Sequence, residues 1–141
     1  MIVLDTNVLS ELMRPDPDQA VIAWMDSQEP AQLFLTAVTV AEILYGIARL
    51  PDGKRKAGLR ERGVAMLQED FAGRVISFDE AAAAQYAEVV CERQASGRSI
   101  SMADAQIAAI CRALNGATLA TRHSRDFEGI GLDLANPWTD R

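Results

Sequence analysis

Apolar positions along this chain recur in two rhythms. The first is the short unbroken run. Met1-Ile-Val-Leu4 stops abruptly at Asp5, with the polar pair Thr6 and Asn7 behind it. Similar runs follow at 32–37 around Leu33-Phe-Leu35, at Val75-Ile-Ser-Phe78 and at Thr118-Leu-Ala-Thr121, and Leu132–Leu134 makes a short last one. Runs of this length, bounded by turn formers, suit strands buried on both faces, as in a parallel sheet.

The second rhythm is helical. A helix begun at Val8 is broken by Pro15 and Pro17. The next runs over 18–28, with Ala20, Val21, Trp24 and Met25 on one face. A third opens at Thr39, where Thr39-Val-Ala-Glu42 is a capping-box pattern. It continues through Val40, Ile43, Leu44 and Ile47 and stops at Pro51-Asp-Gly53. From Lys54 to Phe71 the pattern stays helical and turns more polar. Asp79 caps a long alanine-rich helix through Gln94 that stops near Gly97. Ser101-Met-Ala-Asp104 is a second capping box. It opens a helix carrying Ile107, Ile110, Cys111 and Leu114, closed by Asn115-Gly116. Strands alternating with helices predict a three-layer α/β/α sandwich around a mostly parallel central sheet. Residues 1–141 read as one domain, without repeats, linkers or low-complexity segments.

Composition narrows this only a little. A hydrophobic content of 49% and a charged content of 24% are ordinary for a soluble globular protein. No apolar run approaches the length of a membrane span. The N-terminus carries acid where a signal peptide would carry base, so a cytoplasmic protein is expected. Cys91 and Cys111 lie far apart in helical patterns without metal-type spacing, and are expected as buried, inert thiols. A net charge of −6 argues against a general nucleic-acid coat protein, but not against an enzyme that meets nucleic acid through bound cations. Basic residues cluster locally, with Lys54, Arg55, Lys56, Arg60 and Arg62 in one group and Arg122 and Arg125 in another.

The candidate chemistry is acidic. Asp5 follows the first strand, and Glu42 and Asp104 each sit in the first turn of a helix. Taken singly, Glu42 and Asp104 are the fourth residues of capping boxes, favoured there by the helix dipole. Taken together they read differently. Strand tips and helix starts meet at one edge of an α/β sheet, where ligands bind. Carboxylates gathered there repel one another and are costly to desolvate. A hard divalent cation with oxygen ligands removes that penalty. Thr6 and Asn7 either orient Asp5 or form a plain polar turn; Ser101 and Thr121 are caps, donors to the acids, or both. Trp24 and Trp138 read as core or subunit-contact residues, because aromatics are only 6% of the chain and are not interleaved with basic residues.

Four segments carry a family resemblance: Leu4-Asp-Thr-Asn-Val-Leu-Ser-Glu11, Thr39-Val-Ala-Glu-Ile-Leu-Tyr-Gly46, Ser101-Met-Ala-Asp-Ala-Gln-Ile-Ala-Ala109 and Ala120-Thr-Arg-His-Ser-Arg-Asp-Phe127. In order and spacing they resemble the successive motifs of PIN-domain proteins, above all the VapC toxin ribonucleases of the FitB-like branch. Phe71-Ala-Gly-Arg-Val-Ile-Ser-Phe-Asp-Glu80 and Asn136-Pro-Trp138 resemble that branch as well. The resemblance implies an endoribonuclease dependent on Mg²⁺ or Mn²⁺, with Asp5, Glu42 and Asp104 as metal-binding and catalytic acids. It implies a homodimer that assembles with a small DNA-binding antitoxin, whose C-terminal segment sends an arginine toward the acids. The fourth acidic position of the family falls on His123, with Asp126 three residues on, and either residue completes the site. Imidazole is a softer donor than Mg²⁺ prefers. Arg122 and Arg125 are candidates to hold the flanking RNA backbone.

Two rival readings remain. One is a catalytically weak module that acts mainly as an antitoxin-binding dimer. The other is a phosphoryl-transfer domain, and the sequence opposes it. A dehalogenase-type phosphatase needs a second Asp where Asn7 stands, a receiver domain needs a late lysine where Lys56 is the last, and there is no P-loop pattern.

Overall fold

The structure, a computed structural model, describes residues 1–140. In chain order the elements are β1 (Ile2–Leu4), α1 (Thr6–Leu12), α2 (Gln19–Asp26), β2 (Leu33–Thr36), α3 (Ala37–Ala48), α4 (Lys54–Ala65), β3 (Val75–Ile76), α5 (Glu80–Ala95), α6 (Met102–Ala113), β4 (Thr118–Ala120) and β5 (Asp133–Ala135). The strands form one five-stranded sheet in the order β3-β2-β1-β4-β5, and every pairing is parallel. Ile2 is in register with Leu33 on one side and Thr118 on the other.

Strand periodicity builds the layers. Successive side chains on a strand point to opposite faces. Val3 and Leu119 pack with Val89, Ile107, Ala108 and Phe127 in one core cluster. Their neighbours Leu4 and Ala120 pack with Val8, Leu9, Val21, Ile43 and Ile47 in the other. Helices α5 and α6 therefore cover one face of the sheet, and α1 to α4 supply the other layer. This is the expected three-layer sandwich, with a sheet that is parallel throughout. Gly63 lets α4 approach closely, since a Cβ there would sit 3.1 Å from Ile47 Cδ1.

Several boundaries differ from the expectation. The third helix starts at Ala37, and its cap is Thr36, not Thr39. Thr36 Oγ1 accepts the Thr39 amide at 3.0 Å. Thr36 prevails because it ends β2, is already extended, and is wholly buried there. Glu42 consequently lies in the second turn of α3, outside any capping box. Leu44 points outward with 41% exposure, leaving Ile43 and Ile47 to face the core. The helical pattern of 54–71 divides into α4 and a π-helical turn over Met66–Asp70. The chain after β4 forms a 3₁₀ turn, Ser124–Phe127, and the last strand is shifted by one residue to Asp133–Ala135. Cys91 is exposed, contrary to expectation, whereas Cys111 is buried, which pushes its thiol up to about 12. Among the described residues no helix is long and apolar enough to cross a membrane.

Candidate active site

The chain order of the sheet locates the site. From β1 the chain steps outward to β2 and β3, then returns to the other side of β1 for β4 and β5. The β1–β4 boundary is thus a topological switch point, where connections diverge and leave a crevice beyond the strand ends. Asp5 follows β1 and Thr121 follows β4. The strands' hydrogen-bond ladder runs up to both, with the Asp5 amide donating to the Ala120 carbonyl and the Thr121 amide to the Ala135 carbonyl, each at 2.9 Å.

Asp5 is 4% exposed and caps α1 through Oδ1, which accepts the Thr6 amide at 2.8 Å. Its Oδ2 accepts the Thr121 hydroxyl at 2.8 Å and the Asn7 side-chain amide at 2.9 Å. Burial raises this carboxyl above its ordinary 3.8, while the bonds from Thr121, Thr6 and Asn7 and the charge of His123 pull the other way. Thr6 and Asn7 are therefore more than a turn. The Asn7 side-chain Oδ1 also accepts the Arg122 backbone amide at 3.1 Å, tying the α1 start to the loop after β4.

Asp104 enters from α6, where Ser101 Oγ accepts its backbone amide at 3.1 Å. Burial raises its carboxyl, and so do Asp5, Asp126 and Glu42, against the lowering effect of the Ser101 hydroxyl. Asp5, Asp126 and Glu42 are thus each near enough to Asp104 to act on its charge. Glu42 is exposed and accepts the Thr6 hydroxyl through Oε1 at 2.6 Å. Asp5, Glu42, Asp104 and Asp126 all line one cleft of about 530 Å³, with Thr6, Asn7, Arg122 and His123. Both candidates for the fourth position thus face it. Thr121 lies beneath the cleft, under Asp5, and Ser101 stands behind Asp104 as its helix cap. Arg125 is outside the lining, and the 54–62 basic cluster reaches only an adjoining groove, through Arg55 and Arg62.

The donor set is one of hard oxygens, which suits Mg²⁺ or Mn²⁺. Among the described residues no three His, Cys, Asp or Glu side chains stand close enough to hold one ion jointly. Asp5, Glu42 and Asp104 share the cleft without forming a ready three-carboxylate cage. Glu42 Oε1 is engaged by the Thr6 hydroxyl instead. The arrangement fits an ion held by one or two carboxylates with water completing its shell, which is the habit of Mg²⁺.

Sequence reasoning gave no role to Ser10, Glu11 or Arg14 and read Trp138 as a core or subunit-contact residue; all four also line the cleft. Glu11 is 5% exposed; it pairs with Arg14 at 3.3 Å and accepts the Asp18 amide at 3.0 Å. Asn7 and Glu11, four apart, share one face of α1, a signal that was present in the sequence, and Arg14 follows just past the helix end. Trp138 packs against the second core and carries the Arg122 guanidinium 5.1 Å from its ring centroid.

Comparison with known proteins agrees with this geometry. Residues 2–131 match the model of the PIN domain. The chain is 46% identical over 138 residues to the VapC ribonuclease Y4jK of Sinorhizobium fredii, covering 98% of each chain. It is 42% identical over 140 residues to the toxin FitB of Neisseria gonorrhoeae, covering 99% of this chain and 100% of FitB. A solved structure of FitAB bound to a DNA fragment superposes with a TM-score of 0.92 at 41% identity, covering 100% of this chain and 98% of that one. The parallel sheet, the acids at its switch point and these full-length matches agree: the chain belongs to the PIN-domain family.

Proposed function

We propose that this protein is a Mg²⁺- or Mn²⁺-dependent endoribonuclease, the toxin half of a toxin–antitoxin pair. The observation that carries the reading is Asp5 and Asp104, far apart in sequence, brought to one cleft where Asp5 raises the cost of charge on Asp104. Asp5 and Asp104 hold the ion. When bound, the ion neutralises the scissile phosphate and lowers the pKa of attacking water. Asn7, Thr121 and the Thr6 amide hold the Asp5 carboxylate in one orientation, so its oxygens need no rearrangement during the reaction. Glu42, exposed and hydrogen-bonded to Thr6, takes up a proton from water. Asp126 completes the acidic wall, and His123 contacts phosphate. Arg122, propped on Trp138, holds the RNA backbone beside the acids.

The partner is a small DNA-binding antitoxin, as in the FitAB complex. An apolar groove lined by Ile43, Ile47, Leu50 and Leu59 opens onto Glu42 and Arg14. An antitoxin segment lies there and directs an arginine toward the acids, where a guanidinium suits close carboxylates. The protein acts as a homodimer through the outer stripe of α3, where Ala37, Ala41, Leu44, Tyr45 and Ala48 are exposed at helical spacing. RNA as substrate makes the cytoplasm its compartment.

The test is incubation of the purified protein with a mixed RNA pool, in Mg²⁺ or in EDTA, with mapping of the cut ends. Cleavage in Mg²⁺ alone, abolished by Asp104→Asn, is expected. Intact RNA under both conditions, with tight antitoxin binding retained, would leave a binding module in place of a nuclease.

A further inference from the structure

Arg93 lies in the last turn of α5 and is 4% exposed. Among the described residues it pairs with no carboxylate. Its donors go to backbone carbonyls instead. Nη1 donates to the Asp126 carbonyl at 2.9 Å and the Glu128 carbonyl at 3.2 Å, and Nη2 donates to the Ser99 carbonyl at 3.1 Å. Nε is buried without a partner among the described residues. One side chain therefore ties together two segments, the 3₁₀ turn bearing Asp126 and the stretch that leads into Ser101, the cap of the helix bearing Asp104. Gly97, at a φ of +72° that a side chain would strain, reverses the chain between α5 and α6. Just beyond the turn, Arg98 Nη2 donates to the Arg125 carbonyl at 2.7 Å and approaches Glu128 at 4.0 Å.

Stability alone does not account for arginine at position 93. A buried cation without a counter-charge is expensive, and an apolar residue of similar volume commonly makes a more stable core. Leucine or methionine, however, cannot bind three carbonyls from two segments. Lysine cannot reproduce the rigid planar fork that does so. What the guanidinium supplies is geometry, and the two segments it joins carry opposite parts of the acidic cleft.

We propose that Arg93, assisted by Arg98, is a positioning residue that fixes the Asp126 turn relative to Asp104 and thereby sets the affinity of the cleft for a divalent cation. The inference rests on the metal-cleft reading above. Three measurements test it on the full chain with Arg93→Lys and Arg98→Ala. These are amide hydrogen exchange over 99–104 and 123–130, Mn²⁺ binding by calorimetry, and steady-state RNA cleavage. Arg98→Ala alters a side chain that is 43% exposed, so it folds as the parent does. Its expected signature is faster exchange in the 123–130 turn and Mn²⁺ binding weakened about threefold, less than the roughly 10-fold or more lost with a partner bonded to a ligand itself. Arg93→Lys is expected to weaken Mn²⁺ binding about 10- to 100-fold and to lower kcat with little change in KM, because Arg122 still binds the backbone. Should Arg93→Lys fail to fold, Arg98→Ala decides by the same criterion. Faster exchange with parental Mn²⁺ affinity and kcat would reduce both arginines to structural ties and overturn the inference. A parent protein that takes up no Mn²⁺ overturns the metal-cleft reading and this inference with it. Uptake by the parent that neither variant changes overturns the inference alone.

Discussion

Asp104 offers the clearest residue-scale test of electrostatic strain in the cleft. Burial and then Asp5, Asp126 and Glu42 raise its carboxyl above 3.8. A carboxyl raised in the folded state favours folding most when protonated, and that contribution is lost as pH rises through the folded value. At neutral pH without divalent ions, ionised Asp104 therefore opposes the fold. Asp104→Asn in EDTA is expected to melt on the order of 2 °C above the parent at pH 7, a figure kept small because Asp104 is only half-buried. The advantage should shrink as pH falls through the raised folded value toward 3.8, and it vanishes only below 3.8, where the parent carboxyl is protonated in both states. Thermal scans from pH 4 to pH 8 read this directly; a variant less stable at pH 7 than at pH 4, relative to the parent, contradicts it. Asp5 and Asp104 were legible because one stands where an apolar run breaks and the other where a helix begins. The donors that orient them were harder to read. Thr121 bonds Asp5 across 116 residues, and only the β1–β4 pairing brings them together. Arg93 was invisible for the same reason, since its partners are carbonyls, which carry no residue identity.

At the scale of elements, apolar periodicity identified each strand and α-helix but not always its first residue. Thr36 and Thr39 stand three apart, and either suits a helix cap. What decides between them is the end of β2, which leaves Thr36 extended and buried. Thr36→Val leaves the Thr39 amide without its acceptor and is expected to cost about 1 kcal/mol, the usual worth of a cap, in urea unfolding. A variant as stable as the parent would return the cap to Thr39. The same shift matters for function. It releases Glu42 from the capping role that sequence offered and frees its carboxylate for Thr6 and the cleft. The π-helical turn at Met66–Asp70 had no counterpart in the sequence reading, because its side chains continue the helical pattern and only the backbone pairing changes.

At the scale of the molecule, alternating strands and helices foretold a layered α/β fold, and the family motifs pointed to acids that line one cleft. Strand order was not legible, because pairing partners are chosen by packing across the whole sheet. Yet strand order is what makes the site: β1 lies between β2 and β4, so its tip opens at the switch point. The exposed stripe on α3 belongs to this scale too. Tyr45 is 67% exposed beside Leu44, and Tyr45→Glu places charge in the proposed dimer contact. Sedimentation is expected to find a dimer for the parent and a monomer for the variant, with the fold retained; a parent that is monomeric at micromolar concentration removes the dimer.

The measurement that bears most directly on the acidic cleft is the unfolding midpoint with and without Mg²⁺, in the parent and in Asp5→Asn. An ion that binds only the folded chain stabilises it by about 2.7 kcal/mol at a hundredfold excess over its Kd, enough to raise the midpoint by several degrees. The account expects that rise in the parent and none in Asp5→Asn. No rise in the parent, or an equal rise in both proteins, contradicts a divalent ion held at Asp5.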